Sequence, residues 1–299
     1  MSELPQAFTY TIERLDRVLQ RVEHLLDGVD PVTAPDPVIF DRYYAFRWEG
    51  RGRGGALIPI THPHLFDLDT LVGVDYAKEA LVRNTAQFVA GFPANNVLLW
   101  GERGTGKSSC IKGLLPRFGA KGLRIIEVQR SDLKHLPLIM AQVRHAGYRF
   151  ILFCDDLSFA EGDTSYQELK VLLDGGLEAR PDHLVVYATS NRRHLMPERM
   201  TDNLRNEPGA EIHPEEAVSD KLALADRFGL NLSFTPFNQQ TYLMIVERYA
   251  EAAGLDIDPE TLRKQAIIWA LEKGQRSGRA AKQFVDDLAG RHLLGGNAD

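Results

Sequence analysis

Cysteine is nearly absent: only Cys110 and Cys154 occur in 299 residues, both in apolar surroundings. So few thiols exclude a disulfide-built scaffold, and a reducing cytoplasm is the expected setting. Long apolar runs are missing too. The longest, Ala266–Leu271, has six residues, against the roughly 20 that a membrane span needs, so no spanning helix is expected. The N-terminal MSELPQAFTYTIERLDRV has no basic start leading into an apolar stretch, so no secretory signal is expected either. Nor is there a basic excess: 35 Lys and Arg against 41 Asp and Glu leave a formal charge of −6. A protein that coats nucleic acid by neutralising phosphates carries the opposite balance, which leaves only a local basic groove open. What is present, 44% hydrophobic and 25% charged residues, is ordinary for a globular chain. At this length about three quarters of the unfolded surface can be buried without a disulfide or metal staple. At about 150 residues per domain, the expectation is two domains, or one large domain with an appendage.

Phe8–Leu26 places Ile12, Leu15, Leu19, Val22 and Leu26 three or four apart, which predicts an amphipathic helix. It is too short for a coiled coil, so it packs on its own domain or docks a partner. Asp27–Pro37, with three prolines, reads as a linker. Five aromatics between Phe40 and Trp48 predict a strand, GRGRGG (Gly50–Gly55) a turn, and ALIPI the returning strand of a hairpin. Alternating Arg and Gly also occurs where proteins touch RNA, but so short a stretch suits a hairpin loop better. His62 and His64 have no cysteine nearby, and His135, His145, His183, His194 and His213 are scattered, so no metal centre is expected among them.

From Leu71 short apolar strands alternate with amphipathic helices, the pattern of a parallel α/β sheet. NVLLW, LRIIEVQ, RFILFCDD, HLVVYATSN and LNLSF are the predicted strands. After Pro236 three helical stretches, Gln239–Ala253, Pro259–Glu272 and Arg279–Leu294, follow with no strand between them, which predicts an all-helical C-terminal unit.

GERGTGKSS (Gly101–Ser109) fits G-x-x-x-x-G-K-[ST] through Gly101, Gly106, Lys107 and Ser108, and it lies between a strand and a helix as that pattern requires. Such a loop, here Gly101, Glu102, Arg103, Gly104, Thr105, Gly106, Lys107, Ser108 and Ser109, curls its amides around phosphates, and the helix behind it points its positive end at them. Lys107 then supplies a cation to the β- and γ-phosphates, and Ser108 its hydroxyl to Mg2+. RFILFCDD ends in Asp155 and Asp156, at the carboxyl end of a strand, where ligands of open α/β sheets bind. Asp155 is the expected magnesium-side carboxylate and Asp156 the acceptor that orients water. Cys110 falls on the buried side of the following helix and is expected to pack. Arg192 and Arg193 read as a solvated basic cluster.

With these elements in this order, the chain resembles AAA+ ATPases. LVGVDYAKEAL resembles the segment that closes over adenine, with Val72 and Gly73 at the matching place. VVYATSNRRHL resembles the strand that senses the γ-phosphate, which points to Asn191. ADRFGLNLSF resembles the box whose arginine, here Arg227, reaches a neighbouring subunit's site. RSGRAAKQF resembles the start of the lid helix with a second sensing arginine, here Arg279. Over about Asp41–Leu294, LLWGERGTGKSS, FCDDLSF, LKVLLDGGLEARP, YATSNRRHL and SDKLALADRFGL together resemble a bacterial family of AAA+-type ATP-binding proteins known only as a domain of unknown function.

The resemblance implies an α/β P-loop NTPase fold: an N-terminal helix and hairpin extension (1–66), a nucleotide-binding domain (67–235) and a helical lid (236–299). It implies ATP and Mg2+ as ligands, a homo-oligomer, no membrane, and hydrolysis at a subunit interface that remodels or loads a protein or nucleic-acid client. The residues implied for the chemistry are Lys107, Asp156, Asn191, Arg227 and Arg279. Two features depart from the pattern. Asp156 stands where AAA+ proteins carry glutamate, which keeps open an ATP-gated switch with slow turnover. QRSDLKHL lacks the aromatic-apolar-Gly loop of protein-threading members.

Overall fold

Burial along the central strands alternates with period two between two apolar layers, one on each face of a single sheet. In β3 (Val97–Gly101) Val97 and Leu99 join one layer and Leu98 the other. In β5 (Arg149–Cys154) Ile151 and Phe153 face one layer, and Phe150, Leu152 and Cys154 the other. Strands apolar on both faces belong in a sheet covered by helices on both sides. The computed structural model of the chain describes residues 36–52, 54–159, 163, 165–174, 181–193, 195 and 224–295. The helix expected at Phe8–Leu26 lies outside them.

In chain order the elements run α1 (Val38–Arg42), β1 (Ala45–Arg51), β2 (Gly54–Pro59), α2 (Asp75–Val89), β3, α3 (Lys107–Lys112) and α4 (Leu114–Phe118). Then come β4 (Leu123–Glu127), α5 (Leu136–Val143), β5, α6 (Tyr166–Asp174), β6 (Leu184–Ser190) and β7 (Leu230–Phe234). Three helices close the chain: α7 (Gln239–Ala252), α8 (Pro259–Lys273) and α9 (Gly278–Gly295). The described strands form one sheet in the order β2-β1-β4-β5-β6-β3-β7. Only β1 and β2 pair antiparallel; every other neighbouring pair is parallel.

From Ala45 onward the aromatic stretch is an edge hairpin on the same sheet, with Ala45–Arg47 aligned to Ile125–Glu127 of β4; Phe40, expected in that strand, lies instead in α1, and Tyr43 and Tyr44 precede the strand. Arg124 fastens it from behind. Buried at 3% exposure, its guanidinium donates to the Phe40 carbonyl at 2.6 Å and to those of Gly119 and Leu123 at 2.9 and 2.8 Å. It also lies between the Tyr44 and Tyr148 rings, 4.6 and 4.0 Å from their centres. A buried cation needs such full pairing to offset its lost hydration.

The C-terminal helices start on side-chain caps: Asn238 accepts from the Thr241 amide at 2.8 Å, and Asp258 from the Thr261 amide at 2.9 Å. Pro259 takes the first helical position of α8, and Gly274 closes it in the left-handed conformation. Their apolar faces (Tyr242, Val246, Ala266, Ala281, Phe284) share the apolar layer that contains α2 and α3. Among the described residues no helix is long and apolar enough to cross a membrane.

Candidate functional site

Strands β5, β6 and β3 are consecutive neighbours, so the chain segments that leave their carboxyl ends meet. Leaving β3, Gly101 has φ 134°, and an added Cβ would lie 2.0 Å from the Phe234 carbonyl oxygen of β7. Only glycine fits there. The loop then turns into α3, and Lys107, first residue of that helix, is buried at 7% exposure. Its ammonium donates to the carbonyls of Gly101 and Glu102 at 2.7 and 2.6 Å and to Asn191 Oδ1 at 3.1 Å. Burial pulls the lysine pKa below its ordinary value; the carboxylates of Asp156, Asp155 and Glu102 work against that shift.

Beside the ammonium, Asp155 Oδ1 accepts from Ser108 Oγ and from Thr189 Oγ1, each at 2.6 Å. Asp156 adopts φ 50°, a left-handed conformation rare for a residue with a Cβ. Its amide donates to Thr189 Oγ1 at 2.8 Å, and its carboxylate accepts from the Asn191 side-chain amide. Asn191 therefore joins Lys107 to Asp156. Ser108 and Asp155 are the pair that suits a hard divalent cation, two oxygen donors side by side on the cavity wall.

These groups line a cavity of about 720 Å³, within the usual range for small-molecule sites. Arg103 to Ser109 form one wall together with Asp155, Asp156 and Asn191. Leu71, Val72, Phe237, Ile245 and Tyr249 supply an apolar side. Arg279, Lys282 and Gln283 of α9 close the cavity from the helical unit, and Thr189, Gly278, His64, Phe66, Thr70 and Lys112 complete it. The two units touch at the loop itself. The Gly278 amide donates to the Gly104 carbonyl at 2.8 Å, and Ser277 Oγ caps α9 by accepting from the Ala280 amide at 3.1 Å. Gly104 has φ 74°, and a Cβ there would lie 2.9 Å from Ser277 Cβ and Oγ.

Some expected residues stand off the wall. Gly101 and Glu102 contribute their carbonyls to Lys107. Gly73, with φ 78°, lies against the Thr241 methyl instead. Arg227 is not among the lining residues; its guanidinium is ion-paired with Asp174 at the end of α6. Glu215–Asp226 reads as a helix in the sequence; of it only residues 224–226 are described, and they are helical. Cys110 is fully buried, and burial pushes its thiol up to about 12, which suits packing and not nucleophilic chemistry. Arg192 and Arg193 are exposed, the latter 5.4 Å from the Trp100 ring centre. Sequence reasoning missed Thr189, Tyr249, Lys282 and His64. For Lys282 a signal existed, since it follows Arg279 by one helical turn and shares its face. For Thr189 the strand HLVVYATSN offered none.

A family model described as "Protein of unknown function (DUF815)" matches residues 41–292. The chain belongs to that family. No curated protein matches it significantly. A proline-to-glycine point mutant of Thermotoga maritima RuvB aligns over 74% of this chain and 64% of its own, with 15% identity and a TM-score of 0.50. Unmutated Thermotoga maritima RuvB, a Holliday junction branch migration motor, aligns over 74% and 72%, with 14% identity and a TM-score of 0.46. The AAA domain of FIGL-1, solved with ADP, aligns over 75% and 72%, with 21% identity and a TM-score of 0.49. The fold is that of an AAA+ P-loop NTPase: a parallel-dominated sheet with helices on both faces and a helical C-terminal region. At such low identity the likeness speaks for the fold alone.

Gly104→Ala tests the seam between the two units. The added methyl must displace Ser277, so the Gly278 amide is expected to exchange with solvent about tenfold faster or more while the β5 and β6 amides keep their protection. Unchanged exchange at Gly278 would contradict the contact.

Proposed function

We propose that the chain binds Mg-ATP in this cavity and hydrolyses it as a homo-oligomer, using the cycle to remodel or load a macromolecular client. The supporting observation is one convergence: Lys107, the Ser108–Asp155 pair and the Asn191–Asp156 pair on one wall, with Arg279 of α9 lining the same cavity. On this reading residues 67–235 are the nucleotide-binding domain, 236–299 its lid and 1–66 an extension.

Each residue then has a task. Lys107 and the loop amides hold the β- and γ-phosphates, and Ser108 with Asp155 holds magnesium. The bound ion neutralises phosphate charge that would otherwise oppose attack. Asp156 orients a water molecule and receives its proton. Asn191 and Arg279 stabilise the charge that spreads over the terminal phosphoryl oxygens. Val72 and its apolar neighbours take the base. Arg227 lies away from its own cavity, which suits service in a neighbouring subunit's site.

A second reading, an ATP-gated switch or loader with slow turnover, is favoured by one feature. Asp156 is one methylene shorter than glutamate, and its carboxylate is already engaged by Asn191. Turnover measured with and without candidate clients separates the two readings.

Lys107→Ala is expected to weaken ATP affinity about 10–100-fold, since charge-assisted contacts contribute about 1.5–3 kcal/mol. The depressed pKa of Lys107 adds a sign. Without ligand the lysine loses its proton at lower pH than usual, and phosphate raises its pKa again. In the alkaline window between the two values ATP binding therefore takes up protons, and affinity falls as pH rises. Calorimetry in buffers of different ionisation heat reads both effects. Unchanged affinity in Lys107→Ala, or no proton uptake at any alkaline pH, would contradict the assignment.

Assembly is tested through Arg227. An arginine supplied between subunits is worth roughly 10³–10⁵ in rate. Specific activity should rise with protein concentration and collapse in Arg227→Ala, with ATP affinity little changed. Mixing Arg227→Ala with Lys107→Ala subunits should restore part of it, by pairing an intact loop with an intact arginine. Turnover independent of concentration, with no rescue on mixing, would argue for a monomeric site.

A further inference from the structure

Thr189 lines the cavity but takes no part in the proposed chemistry, yet three hydrogen bonds tie it to the acidic segment. It is 1% exposed and lies at the end of β6. The parallel ladder between β5 and β6 runs to Cys154↔Ala188, its last aligned pair. Continued, it would pair Asp155 with Thr189, but the β5 chain turns away at Asp156 with φ 50°. At this point the threonine side chain replaces the lost ladder. The Asp156 amide donates to Thr189 Oγ1 at 2.8 Å, and the Leu157 amide to the Thr189 carbonyl at 2.7 Å.

The same hydroxyl has one hydrogen. With its oxygen accepting from the Asp156 amide, that hydrogen goes to Asp155 Oδ1 at 2.6 Å. Asp155 Oδ1 accepts a second hydroxyl, from Ser108. The two contacts differ in kind. Ser108 lies on α3 and belongs to the phosphate loop, whereas Thr189 is held in a buried strand. Left-handed backbone at a residue with a Cβ is unfavourable and persists only when its surroundings hold it. Thr189 Oγ1 is the acceptor that holds the Asp156 amide in that conformation.

We propose that Thr189 is a positioning residue for both carboxylates. One buried hydroxyl fixes the oxygen of Asp155 that faces the metal position and the backbone turn that presents Asp156 to Asn191. The inference rests on the Mg-ATP reading above. It assigns Thr189 no contact with the nucleotide; it acts through the two aspartates. Outer-sphere partners of this kind typically carry about 10–100-fold in activity or metal affinity.

The test compares full-length wild type, Thr189→Val and Thr189→Ser. Valine keeps the shape and removes the hydroxyl; serine keeps the hydroxyl and removes the methyl. ATP turnover is measured against ATP and against Mg2+, and affinity for a non-hydrolysable ATP analogue by calorimetry at several Mg2+ concentrations. Thr189→Val is expected to lower kcat about 10–100-fold and raise the Mg2+ needed for half-maximal analogue binding, with KM for ATP within about threefold. Thr189→Ser should return both to within about threefold of wild type. Wild-type kcat and Mg2+ requirement in Thr189→Val would overturn the proposal. So would a folded Thr189→Ser as impaired as Thr189→Val, because the methyl would then be what matters. If Thr189→Val fails to fold, Thr189→Ser decides alone: near-wild-type values support the hydroxyl and impaired ones refute it. If wild type binds but does not turn over, the Mg2+ dependence of analogue binding decides in the same way. A wild type that binds no nucleotide would refute the Mg-ATP reading and, with it, this proposal; a failure confined to the Thr189 variants refutes only the proposal.

Discussion

A buried ammonium at the mouth of a parallel sheet must find oxygen acceptors, and the arrangement around Lys107 follows from that need. Two of its acceptors are carbonyls of the loop that precedes it, Gly101 and Glu102, so the loop has to fold back over its own lysine. That tight return requires glycine at Gly101, where β7 leaves no room for a Cβ. The third acceptor, Asn191, comes from the end of β6 and is shared with Asp156. One cation thus sets the spacing among three strand ends. Its lowered pKa reflects the burial, and the carboxylates of Asp155 and Asp156 limit the shift.

Much of this could be read in the amino-acid order because it rests on local chemistry. G-x-x-x-x-G-K-[ST] between an apolar strand and a helix, and an apolar strand ending in Asp155-Asp156, are patterns within one segment. The C-terminal helices were legible to within one residue at every end, since caps such as Asp258-Pro259 and Gly274 sit at their boundaries. What could not be read depends on contacts between distant segments. Nothing in Phe40–Trp48 says that the hairpin it begins pairs parallel with β4, or that Arg124, 84 positions later, will cap the Phe40 carbonyl. GKSSCIKGLLPRF reads as a single helix in the sequence, but it divides into α3 and α4 at Gly113. Thr189 reads as an ordinary strand residue, because its role arises only where β5 leaves the ladder.

The cavity has two sides of different character, which bears on how it can work. The core side is built on the sheet: β5, β6 and β3 carry the loop, the acidic pair and Asn191. The other side, α9 with Arg279, Lys282 and Gln283, meets the core at Gly104 and Gly278 and through the shared apolar layer, and Arg248 of α7 reaches the Asp69 carbonyl. A ligand spanning both sides gains contacts when they close and loses them when they part. That is the geometry by which domain closure couples binding to motion. On the proposed reading Asp156, held in a left-handed turn and one methylene short of a glutamate, is the residue whose supported rate separates a motor from a switch.

On the proposed reading this one cavity holds Mg-ATP with its phosphates on Lys107. The most direct measurement is a crystal structure of the full chain grown with a non-hydrolysable ATP analogue and Mg2+. The expected result is a β- or γ-phosphate oxygen within hydrogen-bond distance of Lys107 Nζ, magnesium on Ser108 Oγ beside Asp155, and the base against Val72. An analogue bound elsewhere, or a Lys107 still held by Gly101, Glu102 and Asn191 at saturating nucleotide, would contradict it.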